Sequence, residues 1–157
     1  MSPTYVSPSN TFTFEYPDDW KLEKEYGGVL VLRKKGGLFK KDSQNALRIT
    51  PMVSDLVISP EAYTALLNLR KKEHQDLEVV EKSDLFTMNF HILKYKTETY
   101  QDIEKRTFLM ENHFWELIIS NRIFTCTFTT RHDEAASPKT QEEKTAAETI
   151  LYSLKLL

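Results

Sequence analysis

Glycine, cysteine and unbroken apolar sequence are all scarce in this chain, and each shortage removes a class of answer. There are four glycines in 157 residues, and all fall in the pairs Gly27-Gly28 and Gly36-Gly37. No Gly-x-Gly-x-x-Gly can be spelled from them. The segment GGLFKKDS lacks the lysine-then-hydroxyl order of a phosphate-cradling loop, so nucleotide binding by a standard loop is disfavoured. One cysteine, Cys126, excludes an internal disulfide. It lies in Phe124-Thr125-Cys126-Thr127-Phe128, where alternation puts the thiol beside two phenylalanines as a small buried hydrophobe. No window approaches the run of about 20 apolar residues that a membrane helix needs. The opening MSPTYVSPSN has neither the basic nor the apolar region of a signal peptide. A soluble, cytoplasmic chain is therefore expected, unless a leader has been removed.

Excess charge is missing too. Twenty-one basic and 23 acidic residues leave a net charge of −2, which supplies no global field for nucleic acid or an anionic membrane. Neither nucleic acid nor an integral membrane segment is expected. The histidines His74, His91, His113 and His132 are dispersed, without His-Glu-x-x-His or a cysteine pair, and no metal or other cofactor is expected. His132-Asp133 with Ser137 nearby suggests a hydrolytic triad. The base of a triad must stand between nucleophile and acid, which adjacent side chains seldom manage. Asp18 and Asp19, beside Pro17, read as turn carboxylates rather than a general acid and base. No catalytic residue is assigned.

The residues that are present describe a packed domain. Hydrophobic side chains make up 40% of the chain and aromatic ones 11%, enough for a single core at this length. Residues 1–10 are expected to form a flexible N-terminal segment and residues 11–157 one domain. Phe12, Phe14 and Tyr16 alternate with Thr13 and Glu15, the period of a half-buried strand that Pro17 ends. The glycine pairs bracket a second strand. Asn45–Val53 reads as a third, interrupted at Pro51. Ser59-Pro60-Glu61 supplies an N-cap, a first-turn proline and an early acid, predicting a helix to about Glu73. Its basic end, Arg70-Lys71-Lys72, suits the helix dipole. Strands follow near 77–82, 88–99, 105–111, 114–120 and 123–130. Trp115, Leu117 and Ile119 share one face, and Thr125, Thr127 and Thr129 form an exposed row. A last helix opens at Ser137-Pro138 or at the capping box from Thr140, with Ala147, Ile150 and Leu151 on its buried side. Strands, helix, strands, helix in that order predict an α+β domain on an antiparallel sheet of about six or seven strands.

The aromatic strand ending in Pro17, followed by Trp20 and then by Glu25-Tyr26-Gly27-Gly28-Val29-Leu30, resembles the opening of the photosystem II extrinsic PsbP proteins. The likeness continues through the strand at 45–49, the helix opened by Ser59-Pro60-Glu61 and a final helix ending near Ser153-Leu154-Lys155. It points to the wider Mog/PsbP-like group, which includes a Ran-binding nuclear-transport factor, bacterial envelope and secretion-associated proteins, and bacterial domains of unknown function. The resemblance implies an α/β/α sandwich and a non-catalytic role as an adaptor or accessory subunit, such as a secretion-associated or toxin-neutralising protein. It transfers no binding residue, because the matching positions build the fold.

One local charge feature stands apart. Arg33 to Lys41 reads RKKGGLFKK, five cations without an acid around Leu38-Phe39. The ordinary outcome is a solvated tip with Leu38 or Phe39 folded back onto the sheet. The binding outcome is an apolar anchor with a basic rim, Arg33, Lys34, Lys35, Leu38, Phe39, Lys40 and Lys41, against an acidic partner protein. The alternative function is that of an enzyme or small-ligand receptor with a pocket between sheet and helix, lined by Tyr95, Trp115 and His91.

Overall fold

The computed structural model describes residues 2–51, 58–83, 89–120 and 122–157. Among these residues, ten strands and two α-helices follow in the order β1 (Thr4–Val6), β2 (Phe12–Glu15), β3 (Trp20–Lys24), β4 (Leu30–Lys34), β5 (Ala46–Pro51), α1 (Pro60–Glu73), β6 (Glu78–Ser83), β7 (Asn89–Ile103), β8 (Arg106–Ile119), β9 (Arg122–Arg131), α2 (Pro138–Tyr152) and β10 (Lys155–Leu156). Seven strands pair in the order β3-β4-β5-β9-β8-β7-β6, and β1-β2-β10 make a small second sheet. Every pairing is antiparallel. The expected α+β class and antiparallel architecture are therefore present.

Within the N-terminal segment set apart at residues 1–10, Thr4–Val6 form strand β1. Thr4, Tyr5 and Val6 pair with Glu15, Phe14 and Thr13. A three-residue strand leaves too little alternation to be read from sequence. It forms because Tyr5 packs on Phe14, with ring centroids 5.0 Å apart. Ser7 then closes the turn, its Oγ accepting from the backbone N–H groups of Thr11 and Phe12. The chain after α2 differs from expectation, since Lys155 and Leu156 form a strand beside Thr13 and Phe12.

The expected strands 105–111 and 114–120 are one continuous strand, β8. The polar run Glu111-Asn112-His113 looks like a turn, but cross-strand partners satisfy it. The Asn112 amide donates to Thr99 at 2.9 Å, and its oxygen accepts from Thr129 at 3.1 Å. Thr125, Thr127 and Thr129 of β9 are half-buried rather than fully exposed. Expected strand residues 52, 53 and 88 lie outside the described residues.

The two faces of the large sheet have different covers. On one, Phe12 and Phe14 of β2 and Ala147, Ile150 and Leu151 of α2 pack on Leu32, Ile49, Trp115, Leu117, Cys126 and Phe128. Trp20, placed by the corner at Pro17, is only 3% exposed and joins this cluster. On the other, Tyr63, Leu66 and Leu67 of α1 meet Leu93, Ile118 and Ile123. Both helices begin as their sequences predict. Ser59 Oγ accepts from Ala62 N–H and Ser137 Oγ from Thr140 N–H.

Helix α1 contains no fully buried residue, so its docking depends heavily on one polar contact. Glu116 lies on its side of β8, 3% exposed, opposite Leu93. Arg70 meets both carboxylate oxygens, from Nε to Oε1 and from Nη2 to Oε2. The Glu116 carboxylate lifts the Arg70 guanidinium even above its usual high range. Removing one member of such a buried pair strands the other charge. Arg70→Met should cost roughly 3 kcal/mol in urea unfolding, and adding Glu116→Leu should recover most of that loss.

Candidate functional site

The basic segment forms the connection from β4 to β5, and its root is tied to the corner at Pro17. Lys35 N–H donates to the Asp19 carbonyl at 2.8 Å, and Lys35 Nζ to the Asp18 carbonyl at 2.9 Å. The pair Asp18-Asp19 thus contributes backbone acceptors to a structural corner. On the far side, Ser43 N–H donates to the Lys34 carbonyl at 2.9 Å. Asp42 closes the neck, accepting at Oδ1 from Gly36 N–H at 3.0 Å. That hydrogen bond, with Lys21 and Arg33 nearby, holds the Asp42 carboxyl below its ordinary range.

The tip is a tight turn in which Lys40 N–H donates to the Gly37 carbonyl at 2.9 Å. Gly36 is required by space, since a Cβ there would stand 2.1 Å from the Lys40 carbonyl oxygen. Phe39 adopts φ +66°, the left-handed region that costs a bulky residue roughly 1 kcal/mol. Leu38 is 86% exposed and Phe39 101%, so neither side chain folds back onto the sheet.

The seven candidate residues divide in two. Arg33 and Lys34 belong to β4 and are half-buried, and Arg33 donates to the Gln44 carbonyl at 3.0 Å. Lys35, Leu38, Phe39, Lys40 and Lys41 are exposed around the turn. Phe39→Gly should raise the thermal midpoint, because glycine takes positive φ without strain. Gly36→Ala should lower it by forcing the neck apart. Differential scanning calorimetry of both variants checks the pair of signs.

Of the residues expected to share a pocket between sheet and helix, strand alternation puts Tyr95 and His91 on the α1 face and Trp115 on the other. Trp115 faces α2 and donates from Nε1 to Glu148 at 3.0 Å. Tyr95 faces α1, stacked between His74 at 4.1 Å and Phe114 at 5.0 Å. His91 stacks on Tyr63 at 4.4 Å. Tyr95 and Trp115 both border a shallow depression of about 160 Å³ beside Lys94 and Lys144, which His91 does not line. The residues of the suggested triad have other partners. Asp133 pairs with Arg131, and Ser137 caps α2. Cys126 is completely buried, and burial pushes its thiol pKa far up.

Sequence reading missed a polar cluster around Glu111, although Glu111 and His113 occupy alternate positions on one face of β8. Glu111 is 7% exposed, with His132 Nδ1 at 2.8 Å, His113 Nε2 at 3.3 Å and Lys96 Nζ at 3.9 Å. Among the described residues, no group of three or more His, Cys, Asp and Glu is arranged to hold a metal. Burial, reinforced by Lys144 and Lys96, lowers the His113 pKa from 6.5 to about 4. In the unfolded chain His113 takes a proton near pH 6.5, and in the folded chain only near pH 4. Its contribution to stability is therefore complete above 6.5 and is lost as the pH falls toward 4. Urea midpoints should fall between pH 7 and pH 5, less steeply in His113→Gln.

No protein-family model matches the chain, and no curated protein matches it. Solved structures do. A protein of Bacteroides thetaiotaomicron superposes with a TM-score of 0.65 at 19% identity, over 98% of this chain and 48% of that one. The chain thus spans about half the length of that relative. The cyanobacterial PsbP of Synechocystis gives a TM-score of 0.49 at 17% identity, covering 99% of this chain and 92% of its own. LpqN of Mycobacterium tuberculosis, described as involved in cell envelope biogenesis, gives 0.44 at 13% identity, covering 99% and 90%.

Proposed function

We propose that the protein is a non-catalytic accessory domain that binds another protein through the turn at residues 35–41. The observation that carries this reading is the presentation of Leu38 and Phe39, both almost completely in water, on a turn that holds Phe39 at positive φ. Burying a large apolar side chain is worth about 1.5–3 kcal/mol, so the tip leaves that energy available to a partner. Lys35, Lys40 and Lys41 surround the pair, and the nearby Asp42 is engaged at the neck. A partner with an apolar socket and an acidic rim matches this arrangement. The anchor supplies affinity and the rim supplies orientation and rate.

The test compares wild type, Leu38→Ser/Phe39→Ser and Lys35→Glu/Lys40→Glu/Lys41→Glu as baits in native lysate. A partner recovered by wild type is then purified and titrated against all three. The serine pair should weaken binding by at least about 30-fold, corresponding to a hot spot of about 2 kcal/mol. The charge reversal should mainly slow association and abolish its salt dependence. Equal affinity for all three proteins would show that the turn is not the contact. Binding to anionic vesicles without a protein partner would reassign the tip to a lipid surface.

A further inference from the structure

A cavity of about 420 Å³ lies between the small sheet and the large one, at the opposite end of β4 from the basic turn. Its size falls within the range of small-molecule sites. The walls are apolar, from Phe12 of β2, Leu30 of β4, and Ile123 and Phe124 of β9. Two cations, Lys24 and Arg122, are among its lining residues, and among the described residues no acid lines it.

Those cations differ from most others on the sheet. Lys21, Arg48, Lys94, Lys96 and Arg131 each have a carboxylate within ion-pair distance. Among the described residues neither Lys24 nor Arg122 has an ion pair, and Lys24 has the ring of Tyr5 5.9 Å from its Nζ. The intervening rim contributes neutral polar groups. Ser9 Oγ and Thr11 Oγ1 are 2.9 Å apart, and the connection at Gly27-Gly28 passes with both residues near φ +80°. A Cβ on either glycine would meet nothing within 4 Å, so the backbone borders open space there.

We infer that this cavity binds a small amphipathic anion of the fatty-carboxylate class, its chain against Phe12, Leu30 and Phe124 and its carboxylate between Lys24 and Arg122. Two cations without an ion pair among the described residues, beside an apolar hollow, favour one ligand chemistry over others. A neutral hydrocarbon leaves both charges unused. A fully polar anion forfeits the transfer of its chain from water, worth about 0.8 kcal/mol per methylene. A carboxylate with an apolar chain satisfies both, and charge-assisted hydrogen bonds at its head set the selectivity.

Decanoate and decan-1-ol are the probes, titrated into the whole chain by calorimetry and by amide-resolved NMR. Decanoate should bind saturably at one site and shift the amides of Gly27, Gly28, Arg122 and Phe124. Decan-1-ol should bind about tenfold more weakly or worse, the ratio expected from losing one good charged contact of about 1.4 kcal/mol. Lys24→Gln and Arg122→Gln should each close that gap while leaving decan-1-ol unchanged, and Arg122→Lys should retain part of it. The inference is overturned if decanoate does not saturate, if the shifts centre on another region, or if decan-1-ol binds as tightly as decanoate. Should a glutamine variant misfold, the wild-type comparison of the two probes decides alone.

Discussion

From Trp115 to Ile119 every residue of β8 is buried, and because a strand turns alternate side chains to opposite faces, neither face of the sheet can be left bare. Trp115, Leu117 and Ile119 require the cover that α2 and β2 supply. Ile118 requires α1, and so does Glu116, the single acid in that stretch. A carboxylate withdrawn from water must find a partner, and Arg70 is positioned to be one only when α1 sits in a single register. The ion pair offsets its own desolvation without adding much net stability, but it specifies where an otherwise weakly amphipathic helix lands.

Around that two-sided centre, the strand ends carry the two surfaces described above. Strand β4 links them. At its end the chain is gathered by Asp42, Ser43 and the carbonyls of Asp18 and Asp19, and the remainder is pushed outward as Leu38-Phe39. At its start, beyond the connection at Gly27-Gly28, the large sheet is bordered by the cavity under the small sheet. The corner that looked like a pair of acids in the sequence is thus the footing of an exposed turn. Its carboxylates are incidental to the backbone carbonyls that receive Lys35.

The fold was legible where one local signal sufficed. Ser59-Pro60 and Ser137-Pro138 announced both helices, because capping is decided within four residues. Leu47 and Ile49, and Phe124, Cys126 and Phe128, announced buried faces by alternation alone. Legibility failed where the decision was distant. Glu111-Asn112-His113 continues as strand only because Thr99, Thr129 and His132 are already in place to satisfy it. Strands β1 and β10 are too short to show a period. At the candidate site, charge and composition picked out the turn. Whether Leu38 and Phe39 return to the sheet depends on the Gly36 neck and the Phe39 backbone, which no local pattern encodes. The cavity draws its walls from several separate strands and so has no signature in any one of them.

The small sheet has a consequence for the order of assembly. Strand β2 meets β1 a few residues away, but it meets β10 across nearly the whole chain, and Ser153 bonds Glu15 across 138 positions. Closing a loop of that length costs roughly 4 kcal/mol in chain entropy, a cost not met until the long hairpins of the large sheet already hold the ends near one another. The small sheet is therefore a clasp, late to fasten and early to loosen. The hollow beneath it exists only while the clasp is shut, so the lifetime of that space is set by the most remote contact in the sequence.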